Sequence, residues 1–391
     1  MSDRAAEALR ALVRGLRDTE FPWTAATTYL NNAAIGPIPE RTRLALEALN
    51  AKRTAPHLLP DRDLFPLLDA ARQAAAGLVG AGVDEIALMP NTTAALNVAA
   101  RALPLAAGDV VLLSDREFPA NVYAWLALRS RGVAVERVPV AADGFPDEDR
   151  LEARLADPRV RVLAVSFVQF ANGFTADLAR LGAACRRTGA FLVVDAIQGL
   201  GAVPLDVRET PVDLLACGGQ KWLLSPWGTG FLYVRRGLTA ALEPPAVSWL
   251  AYYSADDFTR LLDYPERLRA DAQRFEVAAT FQDQLGFATS VGMLLELGVP
   301  AIAAYTRALG DALIAWAEGR GVRVVSPTAP ARRSAIVCLA PPDPAEAQRR
   351  LRQAGVVCSL REGALRFAPH VYNTMDEVER AVQVMDDEVR G

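Results

Sequence analysis

The stretch LLACGGQKWLLSPWGTGFLYV, residues 214–234, decides the fold, because it reads as two buried strands with a single lysine between them. Lys221 has glycine or apolar neighbours on both sides and no acid close by in sequence. Lysine is rarely buried unless it is paired or takes part in chemistry. A surface lysine whose stem lies along apolar neighbours is the alternative interpretation.

Outward from this stretch, apolar runs alternate with helical stretches from about residue 85 to about residue 235. This alternation predicts an α/β fold with a mostly parallel sheet covered by helices on both faces. Asp195 closes the apolar run AFLVVD, and Lys221 follows VDLLACGGQ after a short turn. Ligands of such sheets bind at the carboxyl ends of the strands, so we predict a functional site where these two residues meet.

The length of the chain and its change of texture predict two domains. At 391 residues the chain exceeds the size at which one hydrophobic core usually stops growing. After about residue 255 a polar, irregular stretch precedes long helices and short strands such as SAIVCLA and ALRFAP. We therefore predict a large domain over residues 20–255 and a small α+β domain formed by residues 1–19 and 256–391.

Composition argues against several classes of function. The formal net charge is −4 and no block of five or six basic residues occurs, so nucleic-acid binding is not expected. No segment reads as a signal peptide or a membrane span, so we expect a cytoplasmic protein that binds no membrane. The scattered cysteines and histidines form no metal-ligand pattern, so no metal is expected. These residues are Cys185, Cys217, Cys338, Cys358, His57 and His370.

The lysine and the aspartate together favour pyridoxal 5′-phosphate (PLP) as cofactor. A buried lysine has a lowered pKa, so its neutral amine can form a Schiff base. An aspartate at the ring nitrogen keeps that nitrogen protonated, so the ring can take up electrons from the substrate. Gln198, three residues after Asp195, is placed to donate to the phenolic oxygen of the ring. Alone, Asp195 would more often be a turn residue at a strand end.

A cradle for the phosphate precedes an alanine-rich helix in LMPNTTAALNVAARAL, residues 88–103. The hydroxyls of Thr92 and Thr93 and the free N–H groups of a helix N-terminus bind dianions well, although an ordinary N-cap would look the same. Gln220 offers a further amide donor. Phe118, in EFPAN after the strand DVVLLSD, is either a stacking partner of the ring or a core aromatic.

These segments, together with YLNNAAIGPIP, VVDAIQGLGAVPLDV, RFEVAAT and ALRFAPHVYNTMDEVERAV, resemble the class V aminotransferase superfamily over nearly the whole chain. Its members are fold type I PLP-dependent enzymes and include cysteine desulfurases, kynureninases, isopenicillin N epimerase and C–S lyases. The resemblance implies a PLP enzyme with a large domain and a small α+β C-terminal domain. It implies that Lys221 forms the Schiff base and that Asp195 pairs with the ring nitrogen. The other implied cofactor contacts are Thr92, Thr93, Phe118, Gln198 and Gln220.

The resemblance also implies a substrate side and a partner subunit. Arg366 matches the arginine that binds the substrate α-carboxylate, Arg361 is a second arginine before it, and Asn32 lies in a segment that lines the substrate pocket. Relatives of this kind are homodimers with shared active sites, in which Thr280 would reach the phosphate of the partner subunit. Gly218 departs from the pattern, because relatives often carry a phosphate-binding Ser or Thr there.

The reaction is less constrained than the cofactor. We predict action at the α-carbon of a small amino acid, with an aminotransferase first because it needs no additional catalytic group. A PLP-dependent α,β-lyase (C–S lyase) or an epimerase is the alternative. A cysteine desulfurase would need Cys358 as its thiol, and Cys358 lies in an apolar, strand-like run. A scaffold protein without catalysis and a Rossmann-type NAD enzyme rank lower, the latter because no G-x-G-x-x-G follows an early strand.

Overall fold

The computed structural model describes residues 13–253, 257–260, 262, 264, 266–277 and 279–389. Its central sheet has seven strands in the order β2-β8-β7-β6-β5-β3-β4. Strands β3 to β7 run parallel, whereas β8 is antiparallel to β7 and β2 is antiparallel to β8. The strands are β2 Ile86–Leu88, β3 Val110–Ser114, β4 Ala134–Val138, β5 Val160–Ser166, β6 Phe191–Asp195, β7 Leu214–Gly218 and β8 Gly230–Val234. The predicted mostly parallel α/β sheet is thus confirmed.

Helices cover both faces of this sheet, which is why β3, β7 and β8 are buried along their whole length. The helices of this region are α1 Glu40–Arg53, α2 Phe65–Val79, α3 Thr92–Ala102, α4 Ala120–Leu126, α5 Glu148–Arg154, α6 Leu178–Thr188 and α7 Phe281–Leu297. Helices α2, α6 and α7 contribute to the apolar core on one face, and α3 and α4 to the core on the other.

The C-terminal region is an α+β unit around a second, antiparallel sheet of four strands in the order β12-β13-β10-β9. Its elements are α8 Val299–Gly319, β9 Arg323–Val324, β10 Val337–Ala340, α9 Pro344–Gln353, β11 Val356–Val357, β12 Ser359–Arg361, β13 Ala364–Phe367 and α10 Met375–Val389. An N-terminal strand, β1 Thr28–Tyr29, pairs in parallel with β11. The domain boundaries near residues 20 and 255 stay a prediction.

A buried ion pair connects helix α2 with the segment just before α7. Arg72 on α2 donates through Nε and Nη2 to the two carboxylate oxygens of Glu276, at 2.9 and 2.7 Å. Glu276 Oε1 also accepts from the main-chain N–H of Leu88 on β2, at 2.9 Å. Both charged side chains are almost completely buried, so each depends on the other for compensation.

Among the described residues, no single helix is long and apolar enough to cross a bilayer. Helices α7 and α8 meet that criterion only when taken together, and the chain bends by 78° between them.

Candidate active site

Asp195 and Lys221 lie at the carboxyl ends of parallel strands, where the sequence predicts a functional site. Asp195 is the last residue of β6, and Lys221 follows the end of β7 by three residues. The loop between β7 and β8, residues 219–229, carries Lys221 and is called the lysine loop below. The N-terminal segment contacts this loop, since the N–H of Gly36 donates to the carbonyl of Gln220 at 2.9 Å. A β-carbon at residue 36 would lie 2.1 Å from the carbonyl oxygen of Lys221, so only glycine permits this approach.

Lys221 has the electrostatic character of a reactive amine. Burial lowers its pKa to about 8, and the positive charges of Arg366 and Arg361 act in the same direction, whereas Asp195 opposes them. Its Nζ lies 5.4 Å from the centre of the Phe118 ring. The neutral, nucleophilic fraction of Lys221 near physiological pH is therefore a minor one, but it is far larger than that of an ordinary lysine.

Asp195 is a buried carboxylate with few partners of its own. Its Oδ1 accepts from the N–H of Ile197 at 3.1 Å, and the residue is 2% exposed. Its pKa is raised to about 7, chiefly by burial and also by the charge of Glu117, against the opposing effects of the bond from Ile197 and the charge of Lys221. A buried carboxylate of this kind gains stability from a cationic N–H partner.

Gln198 is tied on both sides of its amide. Its Nε2 donates to the carbonyl of Ala33 at 3.1 Å, and its Oε1 accepts from the indole of Trp222 at 2.9 Å. An amide nitrogen carries two donors, so one N–H of Gln198 remains for a further acceptor. Gln198 thus joins the N-terminal segment to the residue that follows Lys221.

The residues predicted to bind the phosphate lie at and near the start of α3. Asn91 caps the helix, accepting from the N–H of Ala94 at 2.8 Å, and Thr92 Oγ1 accepts from the N–H of Gly218 at 2.8 Å. A β-carbon at Gly218 would lie 2.6 Å from Gln220 Oε1 and 3.0 Å from Thr92 Oγ1. The glycine thus leaves open the space between these two polar groups, at a helix N-terminus suited to an anion. Thr93 is exposed at the same helix start.

Two buried donors without partners lie on the substrate side. Arg366 on β13 is 2% exposed; its Nη1 donates to the carbonyl of Phe170 at 2.8 Å, and its Nε has no partner. Burial lowers the pKa of Arg366 to about 10. Asn32 is fully buried; its Oδ1 accepts from the hydroxyl of Tyr372 at 3.0 Å, and its Nδ2 has no partner. A buried donor without a hydrogen-bond partner costs free energy, and a bound carboxylate would supply the acceptors for both donors.

Arg361 lies at the rim of the same region. In the antiparallel pair of β12 and β13, Ser359 faces Arg366 and Arg361 faces Ala364, so the two arginines share one face of the sheet. Arg361 is exposed, and its Nη1 donates to the carbonyl of Leu360 at 2.8 Å.

Thr280 is placed elsewhere in this chain. It precedes α7, where its carbonyl accepts from the N–H of Gln284 at 2.9 Å. It lines a cleft of about 410 Å³ together with Arg53 and Asp283. None of the contacts found in the described part of the chain joins Thr280 to the Lys221 loop, so a role for it requires a second subunit.

Two further buried residues in this region, Glu117 and His370, were not predicted as site residues from the sequence. Glu117, three residues after β3 and next to Phe118, accepts hydrogen bonds from the end of β5, and its contact with that strand has no local signal in the sequence. His370 belongs to the C-terminal region and contacts the lysine loop. Its Nδ1 accepts from the N–H of Val371 at 2.7 Å, and its Nε2 lies 3.1 Å from the carbonyl of Trp222. Burial lowers the pKa of His370 to about 4, so the ring is neutral and donates to Trp222.

Most of the chain matches a known family in sequence. The profile of the family described as aminotransferase class V matches residues 28–380. The chain is 33% identical to the isopenicillin N epimerase of Amycolatopsis lactamdurans, over 93% of this chain and 95% of that protein. It is 30% identical to the uncharacterized aminotransferase YcbU of Bacillus subtilis, over 80% and 81%. The solved apo structure of a cysteine desulfurase from Thermococcus onnurineus superposes with a TM-score of 0.85 at 22% identity, covering 97% of this chain and 98% of that one.

Proposed function

The chain belongs to the class V aminotransferase family and is a PLP-dependent enzyme, and from this premise we propose that it is an aminotransferase acting on a small α-amino acid. The observation that carries the proposal is Lys221, a partly buried amine with its pKa lowered to about 8, which lies near the buried Arg366 with its unpaired Nε. The amine moves a proton at the substrate α-carbon, and the arginine binds the substrate α-carboxylate.

The residues present fit the cofactor. Thr92 and Gln220 border the space that Gly218 leaves open, and they would hold the phosphate together with Thr93 at the same helix start. Asp195 would hold the ring nitrogen, and Lys221 would hold the cofactor covalently. When bound, PLP supplies an electron sink that weakens the bonds at the α-carbon of an attached amino acid.

Arg366 and Asn32 orient the substrate. The guanidinium is fixed by its bond to Phe170, which leaves Nε free for a carboxylate oxygen. The unpaired Nδ2 of Asn32 offers a second donor. Fixing the carboxylate at one end of the substrate sets which bond of the α-carbon faces Lys221.

Proton transfer at the α-carbon falls to Lys221. The other groups whose charges act most strongly on it are Asp195, Arg366, Cys217 and Arg361. Arginines keep their protons at neutral pH, and burial raises the pKa of Cys217 well above its ordinary value. Phe118, which lies over the lysine amine, has no proton to give. We assign Lys221 as the one base, which suffices for transamination, whereas epimerisation by two bases needs a second acid on the opposite face.

Buried thiols argue against the desulfurase alternative. All four cysteines are free and buried, and burial raises the pKa of Cys358 to about 12. Desulfuration by a protein thiol needs an accessible thiolate. Cys358 instead belongs to the apolar core of the C-terminal region.

An epimerase or an α,β-lyase is the second candidate. The epimerase is favoured by the 33% identity to the isopenicillin N epimerase, which extends over 93% of the chain. All three reactions would begin with removal of a group from the α-carbon, so Lys221 and Arg366 would keep the roles described above.

The absorbance spectrum of the PLP-loaded protein with L-amino acids and no keto acid separates these reactions. For an aminotransferase the visible band bleaches once, in stoichiometric amount, and returns when a keto acid is added. A persistent band with accumulating ammonia and keto acid would identify a lyase, and one with accumulating D-amino acid an epimerase. The Lys221→Ala protein is the control and should show neither the band nor turnover. Normal turnover by this variant would refute the assignment of Lys221.

We further propose a cytoplasmic homodimer with shared sites. Free cysteines suit a reducing compartment. The exposed aromatic side chains of Tyr123, Trp227 and Trp249 are candidates for burial against a second copy. Light scattering during size-exclusion chromatography measures the mass in solution and would contradict the dimer if it gave that of one chain.

A further inference from the structure

Glu117 is a buried carboxylate surrounded by donors. It follows β3 and is 6% exposed. Its oxygens accept from the N–H of Ser166 at 3.0 Å, from Gln169 Nε2 at 2.7 Å and from Asn121 Nδ2 at 3.1 Å, and also from the Ser166 hydroxyl. Donors on all sides stabilise the ionised form of a carboxylate, although burial raises the pKa of Glu117.

This carboxylate lies on the same face of the sheet as Asp195. Ser166 ends β5 and is the register partner of Asp195 on the neighbouring parallel strand β6. Register partners on adjacent strands point to the same face. The Ser166 side chain contacts Glu117, so the two carboxylates are neighbours on that face.

The two acids have too little positive charge between them. No ion pair found among the described residues includes Glu117, and Lys221 is the cation that acts on Asp195. Lys221, whose pKa is lowered to about 8, is mostly charged at neutral pH, but it is a single positive charge beside two carboxylates. Buried anions without compensation are costly, so a cation next to Asp195 would stabilise both carboxylates.

We propose that Glu117 is a second anionic partner of the bound cofactor, acting through Asp195 to hold the ring nitrogen of PLP in its protonated form. The same carboxylate holds the loop that carries Phe118 against β5. Glu117 is thus a positioning residue for the cofactor, and its role rests on the family assignment and not on which reaction follows.

A purely structural role makes a different prediction. If Glu117 only fastened the β3 loop to β5, its replacement would weaken the binding of every cofactor analogue equally. If its charge acts on the ring nitrogen, the loss falls on cofactors that have that nitrogen.

The test compares PLP with the analogue in which carbon replaces the ring nitrogen, in wild type and in Glu117→Gln. The glutamine keeps the size of the side chain, and the amide of Gln169 can turn to match it. The dissociation constant of each cofactor is measured by titrating the apoprotein and following protein fluorescence. We expect the preference for PLP over the analogue to fall about tenfold or more in Glu117→Gln, the size of effect expected for a unit charge nearby in a partly buried site.

Two further variants keep the test decisive. Glu148→Gln removes another buried carboxylate, one that pairs with Arg332 in a different part of the fold, and should leave the preference unchanged. Ser166→Ala removes one donor to Glu117 and should give a smaller fall in the same preference, which serves if Glu117→Gln does not fold. An unchanged preference in both Glu117→Gln and Ser166→Ala, or an equal loss for both cofactors, would overturn the proposal.

Discussion

Replacement of Arg366 by lysine tests the substrate side of the site most directly. The side chain is 2% exposed, and its Nη1 is used by the carbonyl of Phe170. What remains for a carboxylate is the unpaired Nε and the rest of the planar fork. Lysine keeps the charge but has no fork, so Arg366→Lys should lose at least one charge-assisted hydrogen bond to the substrate.

The magnitude follows from the strength of such a bond. A hydrogen bond to a charged group contributes about 1.5–3 kcal/mol, which corresponds to a loss of about 10- to 150-fold in affinity. The loss should appear for amino acids and be absent for the corresponding amines, which have no carboxylate. Cofactor affinity should stay unchanged, because Arg366 lies outside the phosphate cradle.

The assay follows the cofactor band of the holoenzyme while the concentration of L-alanine or of ethylamine is varied. Arg352→Lys, at an exposed position on α9, is the matched control. If Arg366→Lys binds L-alanine within about twofold of wild type, or loses alanine and ethylamine equally, the assignment of Arg366 to the α-carboxylate is wrong.

Three other predictions concern single features. Because the pKa of Lys221 is lowered to about 8, the neutral amine gains population as pH rises, so the rate of cofactor attachment to the apoprotein should increase between pH 6 and pH 9 with a midpoint near 8; a midpoint near the ordinary lysine value would contradict this, and stopped-flow absorbance measures it. Cys358→Ala should keep turnover and Cys358 should resist alkylation in the native protein, as mass spectrometry can show, because its thiol is buried with its pKa raised to about 12; complete loss of sulfide release in this variant would instead revive the desulfurase alternative. Glu276→Gln should lower the free energy of unfolding by about 3 kcal/mol, since it leaves Arg72 without its buried partner; urea unfolding beside the exposed Glu318→Gln control would refute this if the two midpoints agreed.

The alternation of apolar runs was enough to predict the parallel sheet and the edge at which Lys221 and Asp195 project. Strand direction was beyond it, because buried strands read alike in either direction. Strand β8 therefore looked like its parallel neighbours, although it runs antiparallel to β7. Local patterns predict where a strand ends, but they say little about the residues from other segments that pack against that end.

Contacts between distant segments account for what the sequence did not reveal. Glu117 depends on the register of β5 against β6, and His370 depends on the approach of the C-terminal region to Trp222. The hydrogen bond from Arg366 to the carbonyl of Phe170 likewise joins two segments that are 196 residues apart in sequence. None of these has a local signature, because each partner is brought by a different strand or loop.

The pairing of the two ends of the chain has a consequence for biosynthesis. Asn32 and Tyr372, which share a hydrogen bond, are 340 residues apart, and β1 pairs with β11. The N-terminal segment that contacts the lysine loop through Gly36 therefore meets these partners only after the residues near 356 and 372 have been synthesised. A nascent chain can complete its central sheet once Val234 has been made, yet the pocket proposed for the amino acid is assembled only after Arg366 and Tyr372 have been translated.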